Sequence, residues 1–176
     1  NKKQILSDNK TDVIDNYNNN FTSENFLFLI SEEIFKGKNV TFKDNLGNIS
    51  KFESFFGDLK NKEVHGKSVK YFFANEAFGN KKNEPRLYGN ILESNPDKTE
   101  ISKGIFTTCK KRDGCPPWTI KAKKITHDKN KKIINYQNAW LQVYDKPIFY
   151  FPKFFHPDPT VKRQSGFLIP KFTDSS

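Results

Sequence analysis

The sequence predicts an all-β fold, on three observations. Turn signals recur at spacings of about ten to twenty residues, the segments between them alternate apolar and polar residues with a period of two, and no segment keeps a helical period over three turns. That spacing suits a meander, jelly roll or barrel of antiparallel strands.

Along the chain, residues 1–30 read as a lead-in, partly disordered, with the asparagine-rich NYNNN at Asn16–Asn20. Strands and turns are expected from Asn25 onward, where SENFLFLISEEIF is the best attempt at a helix but its Ile and Phe suit a strand equally well. Val40 and Phe42, then Ile49, flank DNLGN, a hairpin turn in which Gly47 supplies a positive φ. Further turns are expected at Gly57–Glu63, Gly79–Pro85, Ser94–Lys98, His127–Lys132 and Asp145–Pro147. Between them, Val69, Tyr71 and Phe73 share one side of a strand, and Trp118, Ile120 and Ala122 share one face opposite Thr119, Lys121 and Lys123. Ile134, Tyr136, Asn138 and Trp140 fall on one face; Leu141 and Val143 continue it only if a slip or bulge intervenes near Trp140. A loose repeat pairs Lys-Asn-Val-Thr-Phe-Lys-Asp from Lys38 with Lys-Lys-Ile-Thr-His-Asp from Lys123, as hairpin units that could stack into one trough.

The chain of 176 residues carries a formal net charge of +10, with twelve Lys/Arg against Asp113, Asp128 and Asp145 between Lys103 and Lys153. A solvated outer face explains that charge, as does a surface for anionic partners. No apolar run approaches the ~20 residues of a membrane helix. The absence of Met marks the chain as a processed product or an excised piece.

Chemistry-bearing motifs are few. Cys109 and Cys115 lie too far apart for a CxxC redox pair and have no His/Cys partners for zinc; an oxidised pair, joined locally or elsewhere, suits an exported chain, with free thiols as the alternative. His127–Asp128 stands in a polar turn without further ligands, so no metal and no cofactor are expected. There is no phosphate-binding loop, nucleophile elbow or paired carboxylate, and catalysis is not expected. Lys70–Phe73 and Lys103–Phe106 lack the glycine pattern of an RNA-binding strand, so no nucleic-acid partner is expected, although a basic all-β nucleic-acid module is the competing class. Eighteen Phe would serve a filled sandwich core, or a trough open to acyl chains.

The C-terminal half carries a resemblance. GIFTTC at Gly104–Cys109, PPWTIKAKKITHD at Pro116–Asp128 and NYQNAWLQVYDKPIFYFPKFFHPDPTVKRQSGFLIP at Asn135–Pro170 occur in that order. Together they resemble the LptD (OstA) family of lipopolysaccharide-assembly outer-membrane proteins, especially its alphaproteobacterial members, over about 104–172. The resemblance implies an OstA/LptA-like V-shaped antiparallel β-jelly roll over 31–156, whose open hydrophobic groove receives lipid A acyl chains. It implies a periplasmic place at the outer membrane, an LptA-type bridge protein joined by edge-strand addition, and LptE as a partner through a C-terminal barrel. Residues 157–176, with Pro157, Pro159, Lys162, Arg163 and Gly166, would be the connector into that barrel. A soluble LptA-type bridge protein is the alternative within the same fold. In the family, the cysteine matched by Cys109 pairs with one in the barrel; Cys115 departs from the better-known pattern, and a Cys109–Cys115 bridge is the other pairing open to the chain. The family's motifs do not transfer its groove residues. Alternation alone nominates Val40, Phe42, Val69, Tyr71, Phe73, Trp118, Ile120, Ile134, Tyr136, Leu141 and Val143.

Overall fold

The computed structural model describes residues 3–14, 16, 18–74, 83–110, 116–158 and 161. Among them there are twelve strands and no helix: β1 (Gln4–Ser7), β2 (Thr11–Ile14), β3 (Asn20–Ser23), β4 (Asn25–Leu29), β5 (Ile34–Lys43), β6 (Ile49–Asp58), β7 (Glu63–Phe72), β8 (Arg86–Ser94), β9 (Lys98–Thr107), β10 (Trp118–Asp128), β11 (Ile133–Val143) and β12 (Lys146–Pro157). They form one open antiparallel sheet in the order β1-β4-β5-β6-β7-β8-β9-β10-β11-β12, with β3 beside β5 and β2 beside β3. This all-β arrangement is consistent with the expected OstA-like jelly roll. From β4 to β12 each strand pairs with the next, so most neighbours are also neighbours in sequence.

The turns follow their sequence signals. In DNLGN, the Asp44 carboxylate accepts from the Leu46 and Asn48 backbone N–H groups, and Gly47 stands at φ 89°. The stretch expected as a lead-in holds four short strands: Gln4–Ser7 pairs with Asn25–Leu29, and Thr11–Ile14 with Asn20–Ser23. Its polar run ends on Asn20, the first residue of β3, and composition hid the strands on either side.

One line of bends crosses the sheet. Asn39, Ser68, Lys103 and Asn138, each mid-strand in β5, β7, β9 and β11, have φ between 48° and 53°. Each is passed over in the pairing: in β10 and β11, Ala122 faces Ala139 and Lys124 faces Gln137, while Lys123 and Asn138 between them do not pair. At this line two successive residues in each strand point outward, and the apolar phase resumes one residue later. In β5, Gly37 and Val40 are buried while Lys38 and Asn39 between them are exposed; in β7, Gly66 and Val69 are buried around exposed Lys67 and Ser68. The bends keep the register because neighbouring strands slip together. Outside, the Ser68 hydroxyl donates to Glu53 over 2.7 Å, and the Tyr150 hydroxyl donates to Asn138 over 2.7 Å.

The slip expected near Trp140 therefore lies earlier, at Gln137 and Asn138. Asn138 and Trp140 face out, Trp140 at 43% exposure, whereas Ala139 is fully buried and Leu141 is on the inner side. The loose repeat has a structural counterpart. Lys38-Asn39-Val40 and Lys123-Lys124-Ile125 both span the bend line, each ending on a buried β-branched residue before its strand closes on a turn.

The inner face carries the core. Val40 and Ala139 are at 0% exposure and Val69 at 1%, in one cluster with Phe52, Leu92, Ile101, Ile120, Ala122, Ile125 and Tyr136. A single sheet cannot seal its own face, so residues this dry require the sheet to fold over itself, bringing inner faces together. Neighbouring strands pack closely on this face. A Cβ built on Gly104 would lie 2.3 Å from Ile125 Cδ1, and one on Gly66 2.4 Å from the Phe52 ring. Any larger residue there would require the Ile125 side chain or the Phe52 ring to shift.

The proline-rich stretch begins inside the sheet. β12 includes Pro147, Pro152 and Pro157, so the expected switch from sheet to stiff connector does not fall before Pro157. Edge position explains this: β12 has β11 on one side only, and Pro152 sits at the bend opposite Asn138, where no ladder bond is made.

Candidate functional site

All eleven residues nominated by alternation fall on the inner side, and the structure divides them. Val40, Val69, Ile120 and Tyr136 are buried in the core; Phe42, Tyr71, Phe73, Trp118, Ile134, Leu141 and Val143 are half-buried towards the strand ends. The half-buried members continue into an apolar lining that alternation did not nominate. Phe21, Phe35 and Phe55 form edge-to-face pairs at one end, with centroids 4.4–6.0 Å apart, and Phe149, Phe151 and Phe154 form a run on β12, with centroids 5.5 and 5.6 Å apart. Phe149 is 60% exposed, at the open margin of this face. A signal in the sequence could have found two of these residues: a non-apolar pair between two phenylalanines, as in Phe52-Glu53-Ser54-Phe55 and Phe151-Pro152-Lys153-Phe154, marks the slip after which the inward phase changes and Phe55 and Phe154 turn inward.

Among the described residues, Tyr71, Tyr136 and His156 are polar groups that burial holds neutral. Burial pushes the Tyr71 hydroxyl up to about 12, with Asp44 and Asp158 adding to the shift. Asp158 follows β12, five places from β7 in the sheet order, or ~24 Å in a flat sheet; its influence on Tyr71 reflects the folding-over. Burial also raises the fully buried Tyr136 hydroxyl and lowers His156. His156 Nδ1 donates to the Pro157 carbonyl over 2.7 Å, leaving Nε2 to accept from Tyr136 at 2.9 Å. Both rings are thus held uncharged. Among the described residues no group of three or more His, Cys, Asp or Glu gathers as a metal site. His127 is engaged otherwise, with Nε2 2.6 Å from an Asp158 carboxylate oxygen.

The outer face is polar and basic by comparison. Lys103 and Lys123 stand exposed on the bend line, and Lys124 pairs with Glu100 at 2.9 Å. A cleft of about 720 Å³ opens beside β5–β7, lined by Leu27, Lys36, Phe55, Phe56, His65 and Lys67 among others.

Cys109 carries a free thiol, its Sγ 3.8 Å from the Trp118 carbonyl, and no disulfide is formed there. Of the alternatives open to Cys109, the structure shows the free thiol; Cys115 lies outside the described residues. The segment at Cys109 is fixed by other means: Arg86 donates to the Cys109 and Glu84 carbonyls, and the Thr107 hydroxyl donates to the Trp118 carbonyl over 2.7 Å. Of the expected connector, Pro157 closes β12, and Val161 N–H donates to the Asp158 carbonyl over 2.9 Å. Pro159, Lys162, Arg163 and Gly166 lie outside the described residues.

An open antiparallel sheet with an apolar inner face can now be set beside known proteins. No family model matches the chain. The LPS-assembly protein LptD of Shewanella sp. (strain MR-4) is 24% identical over 159 residues, 87% of this chain and 19% of that protein. This chain is similar to LptD. The LptD of Yersinia pestis is 34% identical over 80 residues, 44% of this chain and 10% of its own length. That of Aeromonas hydrophila is 41% identical over 85 residues, 48% of this chain and 10% of its own. The chain thus spans between a tenth and a fifth of these LptD proteins.

Proposed function

We propose that this chain is the periplasmic domain of an outer-membrane lipopolysaccharide translocon, holding lipid A acyl chains on its inner face and passing lipopolysaccharide to a barrel that follows. The observation that carries this reading is the similarity to LPS-assembly protein LptD along 87% of the chain. The half-buried Phe, Leu, Ile and Val beside the dry core support it. Such a surface binds hydrocarbon without any catalytic group, each buried methylene contributing ~0.8 kcal/mol while sugars and phosphates stay in water. Because adjoining grooves of similar affinity exchange lipid without a net driving force, directional flow depends on an energy source elsewhere. An LptA-type bridge docks by strand addition on an open sheet edge, and LptE enters through the barrel. The segment after β12 leads into that barrel.

The test is site-specific photocrosslinking in cells that make lipopolysaccharide. A photoreactive side chain at Leu141 or Trp118 is expected to capture lipopolysaccharide, and one at outward Lys51 is not. Equal capture at all three positions, or salt-sensitive oligonucleotide binding with no lipopolysaccharide adduct, overturns the reading.

A further inference from the structure

The outer side of β10–β12 presents an aromatic and basic belt that the groove does not use. Trp140 and Tyr150 are cross-strand partners, ring centroids 4.9 Å apart, with 43% and 42% exposure. Ile148, the residue left over at the bulge between Pro147 and Phe149, is 58% exposed. On the other flank Trp140 faces Lys121, and Lys121 faces Ile105 of β9. Exposed Lys123 adjoins on the bend line. Single exposed aromatics are ordinary on a protein surface, but here a packed Trp140–Tyr150 pair has exposed Ile148 close by on the same strand and lysines at its border, in the segment where twelve Lys/Arg meet three acids.

We propose that this belt seats the domain against the surface of an anionic phospholipid bilayer. Amphipathic indole and phenol rings settle at the headgroup level, with apolar bodies inward and polar atoms towards water, and lysines beside them meet lipid phosphates. The belt faces away from the inner trough, since Ala139 and Leu141, flanking Trp140, point to the core. The domain can therefore rest on a bilayer while its trough stays open to a separate cargo. A nucleic acid would also match lysines beside aromatic rings; the exposed Ile148 on the same strand favours a lipid interface, because an aliphatic side chain gives a base nothing to stack upon.

Co-sedimentation of the 176-residue chain with phospholipid vesicles tests this. The chain is expected to bind vesicles of phosphatidylcholine mixed with phosphatidylglycerol, to ignore phosphatidylcholine alone, and to release as salt is raised. Lys121→Ala and Lys123→Ala should each weaken binding about fivefold. Trp140→Ser should weaken it about tenfold, with an unchanged circular dichroism spectrum as expected for a half-exposed side chain. Lys121→Arg should keep it. The same loss from Lys36→Ala and Lys38→Ala on β5 would show charge without a site and overturn the proposal. Equal binding to neutral vesicles, or an oligonucleotide bound where anionic vesicles are not, would also overturn it. None of these outcomes depends on lipopolysaccharide crosslinking at Leu141, so this proposal and the groove reading fail separately.

Discussion

The Tyr136 hydroxyl donates to His156 Nε2 over 2.9 Å, joining β11 to the last turn of the apolar edge strand β12. The imidazole donates in turn from Nδ1 to the Pro157 carbonyl, so the pair fixes the end of the sheet from which the chain departs.

That bond makes stability depend on pH. Burial lowers the His156 pKa from 6.5, outweighing the opposing Pro157 carbonyl and Asp158 carboxylate. Below 6.5 the unfolded ring takes a proton that the folded ring still refuses, so stability falls as pH drops through this window. Glu100, held below its ordinary value chiefly by its bond to Lys124, is expected to lose its contribution only at more acid pH. Melting temperatures at about pH 7.5 and about pH 5.5 should show a drop in the native chain and a smaller one in His156→Gln.

The close packing of β9 on β10 should resist even one methyl group. Gly104→Ala places a Cβ 2.3 Å from Ile125 Cδ1 and should lose about 1–3 kcal/mol in urea unfolding. Ile125→Val removes that methyl, so the double variant should be more stable than the sum of the two single losses implies. Strict additivity would show that the two positions do not compete for space.

The bend line should prefer glycine to any branched residue. Lys103 stands at φ 49°, a region that disfavours side chains by about 1–2 kcal/mol. Lys103→Gly should leave the chain as stable or up to about 1 kcal/mol more stable, the released strain being partly offset by a freer unfolded chain. Lys103→Val should be about 1–2 kcal/mol less stable, measured in the same urea titrations.

Core and lining should separate on substitution. Val69→Ala, at 1% exposure, should lose about 2 kcal/mol of stability. Leu141→Ala, half-buried, should lose less and instead reduce lipopolysaccharide capture at Trp118. Equal losses of stability with unchanged capture would assign both residues to the core alone.

Much of this was legible in the sequence. Alternation placed all eleven nominated residues on one face, and the Asp-Asn-Leu-Gly-Asn turn followed from its residue types. Alternation is a local property, and the side on which a strand residue falls follows from its neighbours. The slip in β11 was legible but not its position, because Gln137 and Asn138 pass between two apolar registers without any proline or glycine to mark the step. The strands at Gln4–Ser7 and Thr11–Ile14 were hidden for another reason. Short and largely exposed, they are held by pairing with β4 and β3 rather than by a pattern of their own.

The sequence by itself determined an all-β chain, its turns, and the face that alternating residues share between one slip and the next, because these are set by backbone sterics and a two-residue period. Only the tertiary structure decided which of those residues are dry. Val40 and Leu141 share a face and a chemistry, yet one is sealed and the other half-open. Burial is a property of what folds over a surface, and the line of bends through Asn39, Ser68, Lys103 and Asn138 accompanies that folding-over.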